Sequence, residues 1–142
     1  MPYRLIFALT RIQNRLTAYL RKELQKEGIA FSPGQIGILL VLENAGQTSM
    51  GHLSQALEID NAAVTRLVDK LEKRQLVERK ISPDDRRRIL IAATATGLKN
   101  ARSIKRIAQA TNRKIMEGFT QEEIDAYVRM NQAIIAKFSL SD

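Results

Sequence analysis

Residues 61 to 97 read NAAVTRLVDKLEKRQLVERKISPDDRRRILIAATATG, and the period of their apolar positions changes partway along. Val64, Leu67, Val68 and Leu71 recur at steps of three and four, the spacing that lines one face of an α-helix. This predicts a helix over residues 61 to 75, with Asp60 as its N-cap. From Leu76 the pattern alternates instead. LVERKIS has the form of a strand, and RRRILIAAT is a second β-prone run with isoleucines at 89 and 91. Between them, Ser82-Pro83-Asp84-Asp85 suits a type I turn. A helix followed directly by a hairpin is expected.

Working outward, TSMGHLSQALEID before this stretch holds a short helix capped by Ser49 and running through Leu57. Leu53, Ala56 and Leu57 should face inward, and Glu58-Ile59-Asp60 forms a tight connection. Two helices joined by about three residues, the second longer and basic, make a helix-turn-helix pattern. Further upstream, Ser32, Pro33 and Gln35 open a helix through a capping box, and Gly46 follows its end near Ala45. Its apolar residues run almost all round, as in a central core helix. Residues 3 to 27 form a long amphipathic helix on Leu5, Leu9, Ile12, Leu16, Leu20 and Leu24, stopped by Gly28. Downstream, residues 97 to 118 are helical, and Thr120 with Glu123 opens a last helix through about Phe138. The fold class is mainly α with a small β-hairpin wing on a helix-turn-helix core.

Composition narrows the function. The chain has 142 residues, enough for one domain with a real core. It has no cysteine, which excludes disulfides, thiolate metal sites, a cysteine nucleophile and thiol redox switching. One histidine, His52, lacks a second histidine as partner, and the carboxylates are scattered beside basic residues. No catalytic residues, metal ligands or cofactor site are expected, and no enzyme. No apolar run approaches the roughly 18–20 residues that span a bilayer, and no secretory leader is expected, so the cytoplasm is the expected location with no membrane partner. A net charge of +8 favours a polyanion.

With its apolar stripe inward, the second helix of the pair turns Ala62, Thr65, Arg66, Asp69, Lys70 and Lys73 outward. The small Asn61, Ala62 and Ala63 let its N-terminal end enter a major groove, where Thr65 and Arg66 reach base edges or phosphates. A solvated amphipathic helix would look similar. Arg86, Arg87 and Arg88 stand at the hairpin tip, where a ribbon reaches an adjacent minor groove whose negative potential draws in arginine. Carboxylates near phosphate are repelled, so Asp84 and Asp85 need another purpose. Asp85 can accept a hydrogen bond from an arginine and hold the tip in shape.

These residues resemble the MarR family of transcriptional regulators. The family's pattern is a recognition helix ending LVxxLExxGLVER, a wing with D-x-R, then leucine-threonine and a glycine. Val68 to Arg79 fit it, Asp85-Arg86-Arg87 supplies D-x-R, and Thr94 and Gly97 fall in place. Gln75 stands where the family has glycine, and Ala93 where it has leucine. The resemblance implies a winged-helix lobe over residues 30 to 97 and N- and C-terminal dimerisation helices over 1 to 29 and 98 to 142. It also implies a homodimer on a near-palindromic double-stranded site, acting as a repressor. Arg87 would be the minor-groove arginine and Asp85 its positioning partner, and a small anionic or aromatic effector would act on residues not identified in this chain.

The dimer has support from the residues as well. The first helix and Ile124, Val128, Ile134, Ile135 and Phe138 offer two apolar seams, packed on each other within one chain or shared between two. Lys99, Arg102, Lys105, Arg106, Arg113 and Lys114 form a further basic run that reads as a solvated face. The rivals to a regulator are a protein that coats DNA without sequence preference and a winged-helix module that binds protein instead.

Overall fold

The computed structural model describes residues 4 to 138. Its elements are α1 (Arg4–Lys26), α2 (Pro33–Ala45), β1 (Gln47–Ser49), α3 (Met50–Leu57), α4 (Asn61–Lys73), β2 (Val77–Ile81), β3 (Ile89–Ala93), α5 (Ala95–Met116) and α6 (Gln121–Lys137). Tyr3, expected to begin the first helix, lies outside the described residues. The chain divides into two compact units, residues 1 to 108 and 109 to 142, with the boundary inside α5.

In the first unit α2 is the hub, as its apolar circumference implied. Ile38, Leu39 and Leu42 are wholly buried, and Ile36, Leu40 and Val41 pack partly on the same core. Around them sit Leu53 of α3, Val64, Val68 and Leu71 of α4, Val77 of β2, Ile91 of β3, and Ala101 and Ile104 of α5. Truncating any of the buried leucines would cost about 2–5 kcal/mol. The Ser32–Gln35 capping box is formed from both sides, each side chain accepting from the other residue's backbone N–H. Ala56 is exposed, contrary to expectation. The inward line of this short helix runs through Met50, Leu53 and Leu57, and a methyl at its margin is too short to reach the core.

The sheet holds one strand more than the hairpin. β1 pairs antiparallel with β3, which pairs antiparallel with β2, in the order β1-β3-β2. Three residues with no alternation signal of their own become a strand because β3 offers them a free edge. Along α1, burial grows toward the C-terminus. Leu5 is 57% exposed while Leu24 is buried, and Gly28 in a left-handed conformation closes the helix. In the second unit, Thr120 and Glu123 form the expected capping box of α6. No residue of α6 is buried, and Ile135 and the following Phe138 are 65% and 77% exposed.

α4 ends at Lys73 rather than residue 75, because the chain turns there through Gln75 at φ +57°. The Gln75 N–H donates to the Glu72 carbonyl and the Leu76 N–H to the Leu71 carbonyl, with both leucines buried. That is the bonding that a glycine in this position usually completes. A side chain in the left-handed region costs about 1–2 kcal/mol. Gln75→Gly is therefore expected to stabilise the fold, but by about 1 kcal/mol or less, since glycine returns some of the gain as unfolded-state entropy. A urea titration with an unchanged slope and a higher midpoint is the expected result.

Candidate nucleic-acid interface

The helix-turn-helix pair closes through Glu58, which takes the left-handed conformation at φ 52° after α3. Asp60 then caps α4, its Oδ1 accepting from the Ala63 N–H at 2.7 Å. Of the residues expected to face a partner, Asn61, Ala62, Thr65, Arg66 and Lys70 are exposed. Ala63 is half-buried on the flank beside Val64. The Thr65 hydroxyl donates back to the Asn61 carbonyl at 2.8 Å. Arg66, Lys70 and Lys73 carry exposed charge and make no ion pair among the described residues.

Asp69 has a different setting. Its Oδ1 accepts from the Arg79 guanidinium at 2.7 Å, and Glu72 one turn on accepts from the other arm of the same group. Arg79 belongs to β2, so a single side chain ties the wing to α4. The hydrogen bond to Asp69 is the main influence that raises the Arg79 pKa; burial opposes it, and the charge of Glu72 adds to it. Half-exposed pairs of this kind are worth about 1 kcal/mol or less, so orientation of the wing matters more here than stability. The brace is not legible in the sequence, where Asp69 reads as one of the outward residues of α4 and Arg79 as part of a separate strand.

A second tie runs from the end of α4 to the segment before α2. Arg74 donates to the Ala30 carbonyl at 3.0 Å and lies 4.3 Å over the centre of the Phe31 ring. Elsewhere, Lys105 pairs with Glu43 and Arg106 with Glu27, so part of the basic run on α5 is neutralised. Arg106 also holds the Glu27 carboxyl below its ordinary pKa, chiefly through that hydrogen bond.

The wing turns later than expected. Ser82 is buried, and its N–H still donates across the hairpin to the Arg88 carbonyl at 2.8 Å. The hydrogen-bonded turn is Asp85-Arg86-Arg87-Arg88, closed by the Arg88 N–H on the Asp85 carbonyl at 2.9 Å. Pro83 bends the approach to this turn without forming its corner. The Asp85 Oδ1 accepts from the Arg87 backbone N–H at 2.9 Å, a local bond that makes aspartate favourable at the start of a turn. Asp85 thus holds the tip through the arginine's backbone, leaving the guanidinium outside. Arg86 and Arg87 occupy the two corner positions and are exposed, while Arg88 belongs to the stem.

Behind the interface, one hydroxyl joins two helix ends. Thr94 Oγ1 donates to the Gln75 carbonyl at 2.8 Å and accepts from the Gly97 N–H at 3.1 Å. It therefore caps the start of α5 while holding the strained exit of α4. His52 is exposed in α3, and no group of three His, Asp or Glu residues among those described could hold a metal ion. No described helix is long and apolar enough to cross a membrane.

The chain has relatives among known proteins. Residues 31–89 match the model of the MarR family. A putative transcriptional regulatory protein for the hcr operon of Thauera aromatica is 34% identical over 88 residues, covering 62% of this chain and 50% of that protein. An uncharacterized HTH-type transcriptional regulator of Bacillus subtilis, YcgE, is 31% identical over 85 residues, covering 60% of this chain and 55% of that one. The chain spans about half the length of these two relatives. Among solved structures, Streptococcus pneumoniae FabT in complex with DNA superposes with a TM-score of 0.82 at 24% identity, covering 96% of each chain. That likeness is one of fold.

Proposed function

We propose that this chain, whose residues 31–89 match the model of the MarR family, is a cytoplasmic, homodimeric, sequence-specific DNA-binding repressor of that family. The observation that carries this reading is the bracing of an exposed helix face to an arginine-tipped hairpin. An exposed helix face of Ala62, Thr65, Arg66 and Lys70 is tied by Arg79 to a wing ending in Arg86 and Arg87. The helix suits a major groove and the arginine corner a neighbouring minor groove. Asn61 and Ala63 keep the helix end narrow, Arg88 adds charge at the stem, and Asp69 orients the wing instead of meeting a base. Lobe residues 30 to 97 would carry the DNA contacts, and the terminal helices, with exposed apolar residues on α1 and α6, the dimer.

Two-fold symmetry would make the operator near-palindromic, with half-sites about one helical turn apart. A small anionic or aromatic effector would release the dimer by changing the separation of the two α4 helices. Selection of bound sequences from a random duplex pool tests the whole reading. A palindrome bound roughly a thousandfold more tightly than random duplex is expected. Binding without enrichment would leave a protein that coats DNA non-specifically, and no salt-dependent DNA affinity at all would leave a protein-binding module.

The aspartate beside the arginines gives a sharper test. Asp85→Ala is expected to weaken operator binding by roughly five- to tenfold, the worth of about one hydrogen bond, although it removes a negative charge from the interface. Asp85→Asn keeps the acceptor for the Arg87 N–H and should bind at least as well as the parent. If charge alone mattered, both variants would bind more tightly in a titration at fixed salt.

A further inference from the structure

The recognition face is more apolar than its residue names suggest. Thr65 has one hydroxyl proton, and the hydrogen bond to the Asn61 carbonyl at 2.8 Å uses it. With Oγ1 turned back along α4, the branch left to project from this exposed position is the Cγ2 methyl. The hydroxyl can still accept a hydrogen bond, but it cannot donate one to a base without giving up the helix contact. Three residues earlier, on the same face, Ala62 is exposed and offers only a methyl. Nearby carboxylates are engaged, Asp60 as the N-cap and Asp69 with Arg79. The N-terminal half of the reading face thus presents two methyl groups, between the exposed carboxamide of Asn61 and the guanidinium of Arg66.

In a major groove, the one base-edge group that complements a methyl is the C5-methyl of thymine. We infer that Ala62 and Thr65 select for thymine by methyl-to-methyl contact, and that Thr65 acts through its Cγ2 methyl rather than as a hydrogen-bond donor. This rests on the DNA-binding reading above and adds the chemistry by which the site is chosen. Arg66 beside them then supplies the polar contact, to a guanine edge or a phosphate.

Deoxyuridine differs from thymidine only by that methyl and pairs in the same way. Replacing each thymine of the selected operator by uracil should therefore raise Kd about fourfold at one or two positions in each half-site, the worth of a buried methyl group. Thr65→Val keeps the outward methyl and should show the same fold-loss on uracil as the parent, while binding the thymine operator more tightly than Thr65→Ser. Thr65→Ser keeps the hydroxyl and should bind the thymine operator about fourfold more weakly, with no further loss on uracil at the position it contacts. Unchanged melting temperatures would show that neither variant acts through folding. The inference is overturned if no uracil substitution weakens binding, or if serine binds like the parent while valine fails. In either case the enriched operator would leave the function reading intact. If the pool yields no preferred sequence, that reading falls and this inference with it.

Discussion

Gly97→Ala is expected to lower the melting temperature by roughly 10 °C or more, from an overpacking cost of about 3 kcal/mol. Helix propensity predicts the opposite, since alanine inside a helix is favoured over glycine by about 1 kcal/mol. The third residue of α5, however, lies against the turn out of α4. An added Cβ would fall deep inside van der Waals contact with the Leu76 carbonyl oxygen, 3.0 Å from its carbon and 3.4 Å from the Ala93 Cβ. The Leu76 oxygen cannot yield, because it accepts from the Thr94 N–H at 3.0 Å. Backbone must move against backbone, so sterics outweigh propensity. Gly51 in α3 provides the control, since an added Cβ there meets nothing within 4 Å. Gly51→Ala should raise stability by about 0.5–1 kcal/mol, and thermal melts of the two variants should shift in opposite directions. Equal shifts would mean that α5 does not start where described.

Arg87→Ala is expected to weaken operator binding by about 1–3 kcal/mol, roughly five- to 150-fold, while leaving the melting temperature unchanged. Arg87 is at a turn corner with its backbone pinned by Asp85 and its side chain exposed, so its loss removes a contact and no packing. If it enters a narrow minor groove, two further changes follow. The slope of log affinity against log salt should fall by about 1, and the preference for A·T-rich flanks should flatten. Arg88→Ala should do less, because that residue belongs to the stem. Equal binding by the Arg87 variant across a salt titration would remove the wing from the list of readers.

Much of the fold was legible in single residues. Ser32 with Gln35, Asp60 and Thr120 with Glu123 each mark a helix start that the structure reproduces, since a cap acts through groups only three residues away. The apolar stripe of α4 was equally clear, as Val64, Val68 and Leu71 are all buried. The wing tip was legible in composition but misplaced in position. Serine-proline before two aspartates is a good turn signal, yet Ser82 spends its N–H on Arg88 across the hairpin, and pairing moves the corner to Asp85.

Asp69 marks where reading from sequence stops. Its place on the helix puts it among the outward residues, and nothing local distinguishes it from Lys70. Only the approach of β2, bringing Arg79 to within 2.7 Å, turns it from a potential reader into part of a brace. Gln75 and Thr94, nineteen residues apart, are joined in the same way.

The sequence by itself determined the order and kind of elements, the buried stripes, and the clustering of arginine at a hairpin tip. Caps, periodicity and charge work over one or two turns of chain, so they can be read where they stand. The tertiary structure decided which polar groups remain free to meet a partner. That choice depends on pairings between different elements, Asp69 with Arg79, Thr94 with Gln75 and β1 with β3, and on the hairpin register that pairs Ser82 with Arg88. The contacts between elements rest on the core about Ile38, Leu39 and Leu42, which holds those segments side by side, and no local preference specifies them.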